Sequence, residues 1–214
     1  MRYCACTTED VNFLQTRVVS LNPNIPNLTD PEFRNISVIT PLNVQKDRLN
    51  ERGCIHFALD TVQSLEHCYS VDSDQHRKPL LWNIQEHIWK MPANKTRNVA
   101  GRISLYHEMP VMIHFNYATE LCITRGQEAH VVSWTEATRP SSQRILETLF
   151  IQLHNPPTVV QLPNLPKNVV PITKHQMNIV LTLSKTNIQV ALWRQQVHIL
   201  SNFAMTNYAA QGKN

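Results

Sequence analysis

The sequence predicts an α/β fold that gives way to a mainly β unit. A β-branched run ended by proline, ISVIT (36–40), leads straight into a polar-rich helical segment at 42–59, the strand-to-helix succession of an α/β layer. From about residue 102 the texture changes to short apolar or alternating runs: RISLYH, VMIHF, HVVSW, LETLFIQL, TVVQL, NVVPIT, NIVLTL and VHILSNFAM. Pro, Asn, Ser and Gly punctuate them, the pattern of a β unit such as a small barrel. At 214 residues and 42% hydrophobic, the chain can bury one sizeable core, or a core and a satellite domain.

Taken in order, Thr7 and Thr8 precede Glu9 and Asp10, and Val11, Leu14 and Val18 follow at helical spacing, so a capped helix is expected over 8–19. The following NPNIPNLTDPEF reads as a loop. A short strand is expected at 67–71, then the polar loop SDQHRKP, then a second helix carrying Leu81, Ile84 and Ile88 with Trp82 and Trp89, closed by Pro92. Met109, Pro110, Val111 and Met112 read as core strand leading to Asn116. Glycine is scarce, with four in the chain, so each is expected where the backbone requires it.

The formal charge of +4 is unevenly spread: residues 1–75 carry 6 Lys+Arg against 10 Asp+Glu, residues 76–107 carry 6 against 1, and residues 108–214 carry 8 against 5. A basic surface on the later two thirds attracts nucleic acid through counterion release, although a surplus of this size is also common in ordinary proteins. No apolar run is long enough to span a membrane, and MRYCACTTED lacks the charged-then-apolar order of a secretory signal. Five cysteines without a C-x-x-C pair argue for reduced thiols and an intracellular setting.

Few residues carry catalytic chemistry by pattern. The terminal GKN is not a Walker A loop, because Asn207 and Asn214 stand where that loop needs Gly and Ser or Thr. No strand ends in the paired carboxylates that hold magnesium. Cys54, His56, His67 and Cys68 are four soft ligands, but their spacing is that of packed thiols and surface histidines and not of a zinc knuckle. No histidine has a Ser or Cys nucleophile and a carboxylate beside it in sequence.

Four phrases in order nevertheless resemble one family. FRNISVITPLNVQKDRLN resembles helicase motif IV, and GRISLYHEMPVMIHFNYATELCITRGQEAHVVSW resembles the segment that follows it in RecD-like superfamily one helicases of the petite-integration-frequency type, especially the divergent copies of fungal Helitron transposons. FAMTNYAAQGKN resembles motif V, and MRYCACTTEDVNFLQTRV the helix that precedes the second motor domain. The resemblance covers essentially the whole chain. It implies a partial RecA-like domain (2A) of the P-loop NTPase type with an inserted small SH3-like β-barrel (2B). The implied division is 1–118 for the first part of 2A with connecting helices, 119–198 for 2B, and 199–214 for the return to 2A. In such helicases two RecA-like domains clamp ATP and Mg2+ between them, single-stranded DNA runs across both, and the motor moves 5′ to 3′. The implied partners are single-stranded DNA and a first RecA-like motor domain, without a membrane, and the implied location is nuclear. Walker A, Walker B and motif VI have no counterpart in this sequence, so the chain alone is expected to be inactive as an ATPase and to need no cofactor.

By the same resemblance Thr40 and Asn43 of motif IV face the nucleotide cleft or steady the loop that does, with a capping turn after a strand as the plainer alternative. Thr206, Gln211, Gly212 and Lys213 fall on motif V, where hydroxyl, amide and backbone N–H donors suit a DNA phosphate. Arg125, beside the Gly126 turn, is a weaker candidate for strand contact. Trp82, Trp89 and Trp134 could stack on bases, but the i, i+7 spacing of the first two favours a buried helix face. The chain departs from the family at Ala129 and Ser133, where Gly is usual, at Ala210, where Ser is usual, and at Asn214, where Thr or Ser is usual. Ala129 would strain its turn if the backbone there needed a positive φ, and the lost hydroxyls weaken motif V; drift in a transposon copy accounts for both. A non-enzymatic single-stranded nucleic-acid-binding module, or an inactive remnant, is the alternative reading.

Overall fold

A computed structural model describes residues 6–16, 18, 36–138, 143–182 and 189–210, in two units, Met1–Ile36 and Ser37–Asn214. In the first, helix α1 (Thr8–Gln15) starts at a capping box: the Thr7 hydroxyl accepts the Asp10 amide at 3.2 Å, and the Thr7 amide donates to the Asp10 carboxylate at 2.8 Å. The helix ends earlier than its periodicity suggests, where the Thr16 hydroxyl bonds back to the Phe13 carbonyl at 2.7 Å. The expected loop at 22–33 lies outside the described residues.

The second unit opens with strand β1 (Val38–Thr40) and helix α2 (Asn43–Asp60). The buried positions of α2 are Lys46, Asn50, Cys54, Phe57 and Ala58, a stripe at helical spacing that is polar in its first half and apolar in its second. A helix whose inward face begins with Lys and Asn gives a weak apolar period, which is why the segment reads as merely polar-rich.

Strands β2 (Glu66–Tyr69), β4 (Arg102–Leu105), β5 (Pro110–Ile113), β6 (Glu128–Thr138), β7 (Arg144–Leu153), β8 (Val169–Thr173) and β11 (Ile199–Ser201) build one seven-stranded sheet, in the order β11-β5-β6-β7-β2-β4 with β8 also on β7. Register shifts between Val131 and Ser133, and between Thr135 and Glu136, bend β6. A second sheet, β3-β10-β9, is made by β3 (Val71–Ser73), β9 (His175–Thr182) and β10 (Gln189–Gln196). The chain turns directly from one sheet into the other at three corners, Ser70, Lys174 and Val197–His198, and crosses once more through residues 74–101 between β3 and β4. Such corners carry one chain through two sheets, each with its own buried cluster. The β5–β6 pairing runs across residues 118/119, whereas β11 joins β5 between the segments 1–118 and 199–214.

The main core lies inside the larger sheet, with Leu105, Val111, Ile113, Val131, Leu149 and Ile151 all inaccessible, and Phe57 of α2 stacks on Tyr106 at 5.2 Å. Met109, Val111 and Met112 are buried there as the sequence suggests. A smaller core forms where helix α3 (Trp82–Trp89) lays Ile88 on Ile179, Leu181 and Leu192 of the second sheet. The predicted run TVVQL forms no strand; its Val160 amide instead donates to Asn168 Oδ1 at 3.0 Å, and its carbonyl accepts the Asn168 amide at 2.8 Å. The run VHILSNFAM divides into β11 and β12 (Ala204–Thr206), which join different sheets. Strand β10 went unpredicted because two of its buried positions are Arg194 and Gln196.

Arg194 is the largest fully buried side chain. Its Nε and Nη2 donate to the two Asp72 oxygens at 2.8 and 2.9 Å, and Nη1 donates to the Val99 carbonyl at 2.9 Å. Asp72 also accepts from Ser70 Oγ at 3.0 Å and Gln85 Nε2 at 2.8 Å. This network ties β3, β10, α3 and the segment before β4 together, with each guanidinium nitrogen donating a bond.

Three glycines fall among the described residues. Gly126 takes φ +89° in the turn Thr124–Gln127, which is closed by the Gln127 amide on the Thr124 carbonyl at 3.1 Å, so it fills the position where a type II turn wants Gly. Gly101 allows a close approach instead: a Cβ there would lie 2.8 Å from Trp89 Cα and 3.0 Å from the Ile88 carbonyl oxygen. Both are backbone atoms, so Gly101→Ala must push α3 off β4. A loss of about 2 kcal/mol in urea unfolding is expected, and an unchanged midpoint would show that the approach is looser.

At two of the three corners histidines meet. His175 and His198 have ring centroids 6.1 Å apart, with Tyr117 4.8 Å from His175 and Phe115 4.9 Å from His198. His198 is buried, and its Nε2 has no partner among the described residues. Burial, with His175 and His114 adding to it, pushes its pKa down to about 4.

Candidate functional site

Two residues 166 positions apart in the sequence come side by side. Strands β1 and β12 pair in parallel with Val38, Ile39 and Thr40 opposite Ala204, Met205 and Thr206. A parallel pair in which each strand runs on into a helix places both carboxyl ends at one edge, the edge at which open α/β sheets bind ligands. Helix α2 follows β1, and the short helix α4 (Asn207–Ala210) follows β12.

Thr40 is buried at the end of β1 and donates its hydroxyl to Gln45 Oε1 at 2.5 Å. It therefore shapes the β1–α2 turn as well as lining the edge. Asn43 is exposed as the first residue of α2, and Leu42 before it offers no side-chain cap to the first-turn amides. Amides left without such a cap at a helix start favour anions. Thr206 is half-buried at the end of β12. Gln211, Gly212 and Lys213 lie outside the described residues, and Arg125 is exposed on a different element, the Gly126 turn, its amide bonded to Asn116 Oδ1 at 2.7 Å. The donors at this edge are hydroxyls and amides, suited to phosphate oxygens. Among the described residues no three His, Cys, Asp or Glu side chains converge on a point, so these residues do not form a cage for a divalent cation.

The sequence did not foretell what holds the edge together. Asn50 of α2 accepts the Ala204 amide at 2.8 Å and donates to the Ala204 carbonyl at 3.0 Å, pairing with β12 as a neighbouring strand would. One turn on, Gly53 lies against Phe203, so closely that a Cβ would be 2.5 Å from its Cγ, and Cys54 Sγ reaches Ser201 Oγ at 3.5 Å. Lys46 is buried beside Asp47 at 3.1 Å and Asn98 at 3.4 Å. On this flank of α2 opens a cleft of about 670 Å³ that Lys46, Asn50, Arg102 and Ser104 help to line.

The four soft ligands go separate ways. Burial pushes the Cys54 thiol up to about 11 and the Cys68 thiol up to about 12; His67 Nδ1 lies 2.9 Å from Ser104 Oγ, and His56 is exposed. Ala129 is extended strand, opposite Val111 and Leu153, and is absent from the positive-φ positions, so the strain expected of it does not arise. The tryptophans divide: Trp89 is 6% exposed and Trp82 53%, their rings edge to face at 5.7 Å, while Trp134 is half-buried against His107 at 5.1 Å.

No protein-family model matches the chain, and no curated protein matches it. Solved structures do. Pif1 helicase from Bacteroides in complex with ADP-AlF3 and ssDNA superposes with a TM-score of 0.55 at 11% identity, over 97% of this chain and 37% of that one. Pif1 helicase from Candida albicans gives 0.53 at 14% identity, over 88% and 39%. Bacteroides Pif1 bound to ssDNA gives 0.53 at 12% identity, over 96% and 37%. The chain thus spans less than two fifths of the length of these helicases, and across that span it has their mixed α/β fold.

Proposed function

We propose that this chain is part of an ATP-dependent 5′ to 3′ DNA helicase: a RecA-like 2A domain over 1–118 and 199–214, carrying an SH3-like 2B insertion over 119–198. The observation that carries the reading is the parallel register that sets Thr40 opposite Thr206. It joins the two segments that resemble motifs IV and V at one sheet edge, in a chain with the fold of Pif1 helicases. On this reading Thr40 and Asn43 face the nucleotide, while Thr206, with Gln211, Gly212 and Lys213, grips a phosphate of single-stranded DNA. Arg125 adds a contact from the insertion. ATP and Mg2+ are held chiefly by a first RecA-like domain, which supplies the P-loop and acidic ligands; the present residues orient phosphates through neutral donors. The setting is nuclear DNA, and the helicase is of the Helitron type.

The test is direct. The purified chain is expected to bind single-stranded DNA weakly and with steep salt dependence, to lose affinity in Thr206→Ala with Lys213→Ala, and to hydrolyse no ATP until a first motor domain is added. Tight binding that ignores those two substitutions would favour a self-sufficient nucleic-acid-binding module.

A further inference from the structure

Away from the β1–β12 edge, a pocket of about 190 Å³ lies between helix α3 and the β2–β4 ladder. Helix α3 contributes Trp82, Glu86, Trp89 and, as its cap residue, Lys90, at i, i+4, i+7 and i+8, which is one helix face. The ladder contributes Tyr69 and Arg102, directly opposite each other in register and so on the same face of the sheet. The Trp89 ring is fixed: it is buried, its Nε1 donates to the Ser70 carbonyl at 3.1 Å, and its neighbours are Tyr69 at 4.7 Å and Trp82 at 5.7 Å. Trp82 stands half out of the surface at the mouth. Gln143 completes the lining, and its Oε1 is buried with no hydrogen-bond partner among the described residues.

Three aromatic rings around a small pocket suit either a cation or a flat π-faced group, and the charges decide between them. Lys90 and Arg102 outnumber Glu86, whose carboxylate is already engaged by Lys90 at 2.8 Å. A second cation would enter a net positive rim. A base attached to a phosphate meets the opposite case: rings to stack on, the Arg102 guanidinium for the phosphate beside the Lys90–Glu86 pair, and an amide oxygen for a base N–H. Apart from Tyr69 and Gln143, the lining comes from 76–107, the most basic of the three stretches.

We propose that the pocket formed by Tyr69, Trp82 and Trp89, rimmed by Lys90 and Arg102, binds one unstacked nucleobase of a single strand. Trp82 is the stacking platform, and Arg102 holds the adjoining phosphate. The inference rests on the reading of single-stranded DNA as the partner, but it concerns a contact separate from the Thr40 and Thr206 edge.

The experiment uses the full chain and follows tryptophan emission while oligo(dT), an abasic oligomer of the same length, and a nucleoside monophosphate are added in turn. Oligo(dT) and the monophosphate are expected to quench the emission saturably, and the abasic oligomer to bind without quenching. Trp82→Ala, checked for an unchanged melting curve, is expected to weaken oligo(dT) binding roughly ten- to hundredfold and to remove most of the quench. If oligo(dT) binds and Trp82→Ala binds and quenches as the parent does, the pocket proposal is overturned and the helicase reading stands. If oligo(dT) fails to bind at low salt, the helicase reading falls, and the monophosphate alone judges the pocket: quenching that Trp82→Ala abolishes supports it, and no quenching overturns it. Quenching by trimethylammonium in place of nucleotides overturns it as well.

Discussion

Asp72→Ala is expected to lower the free energy of unfolding by about 3–5 kcal/mol, among the largest effects a single change has on this protein. The substitution leaves the Arg194 guanidinium at zero exposure without its carboxylate, and it also removes the acceptor used by Ser70 and Gln85. The remaining partner of Arg194, the Val99 carbonyl, is neutral. Because α3, β3 and β10 all meet at this pair, the loss should appear as a shift of the whole urea transition rather than as local fraying. Adding Arg194→Met to Asp72→Ala removes the stranded charge, so the double variant is expected to be more stable than the single one. A single variant within about 1 kcal/mol of the parent would mean that water reaches the pair.

Stability is expected to drop by about 3 kcal/mol on acidification through the histidine cluster. His198 sits at about 4 in the folded chain against 6.5 when free. Above pH 6.5 both states are neutral at this ring and its contribution is complete. As pH falls from 6.5 toward 4 the unfolded chain takes up the proton and the folded chain does not, so stability is lost across that window and no further below it. His198→Leu keeps an apolar volume between Phe115 and His175 without the proton site. The difference between parent and variant, measured by urea unfolding at successive pH values, isolates this ring from the other titrating groups. Parallel curves for the two proteins would rule the mechanism out.

How much of this was legible in the sequence varied with what each residue touches. Strands β6 and β7 and helix α3 show their apolar period because their inward neighbours are side chains. Helix α2 hides its period because Asn50 meets a backbone edge, and β10 hides its own because Arg194 meets Asp72. Three prolines, Pro156, Pro157 and Pro163, flank TVVQL, and Val159 is 65% exposed, so an apolar run there found no ladder to join. The corner at Ser70 is invisible to alternation, since the pattern runs through it unbroken. At the site, resemblance picked out Thr40 and Thr206, but their adjacency is non-local, and no spacing along the chain reports it. The aromatic pocket was half legible: the i, i+7 tryptophans could be read, whereas Tyr69 and Arg102 became its wall only through the register of β2 on β4.

The Asn50 clamp also orders the protein in time. Its partner, Ala204, lies 154 residues further on, with both sheets between them. A chain being synthesised makes β1 and α2 early and must hold them unfinished, the backbone edge of β1 unpaired, until the β-rich middle has been made and β12 emerges. Loop closure over that distance adds little to the equilibrium cost, since the cost grows only with the logarithm of length, but contacts so far apart form late. The α/β half is thus the earlier of the two to be translated and the later to be completed, and during that interval its bare strand is the part most in need of a chaperone.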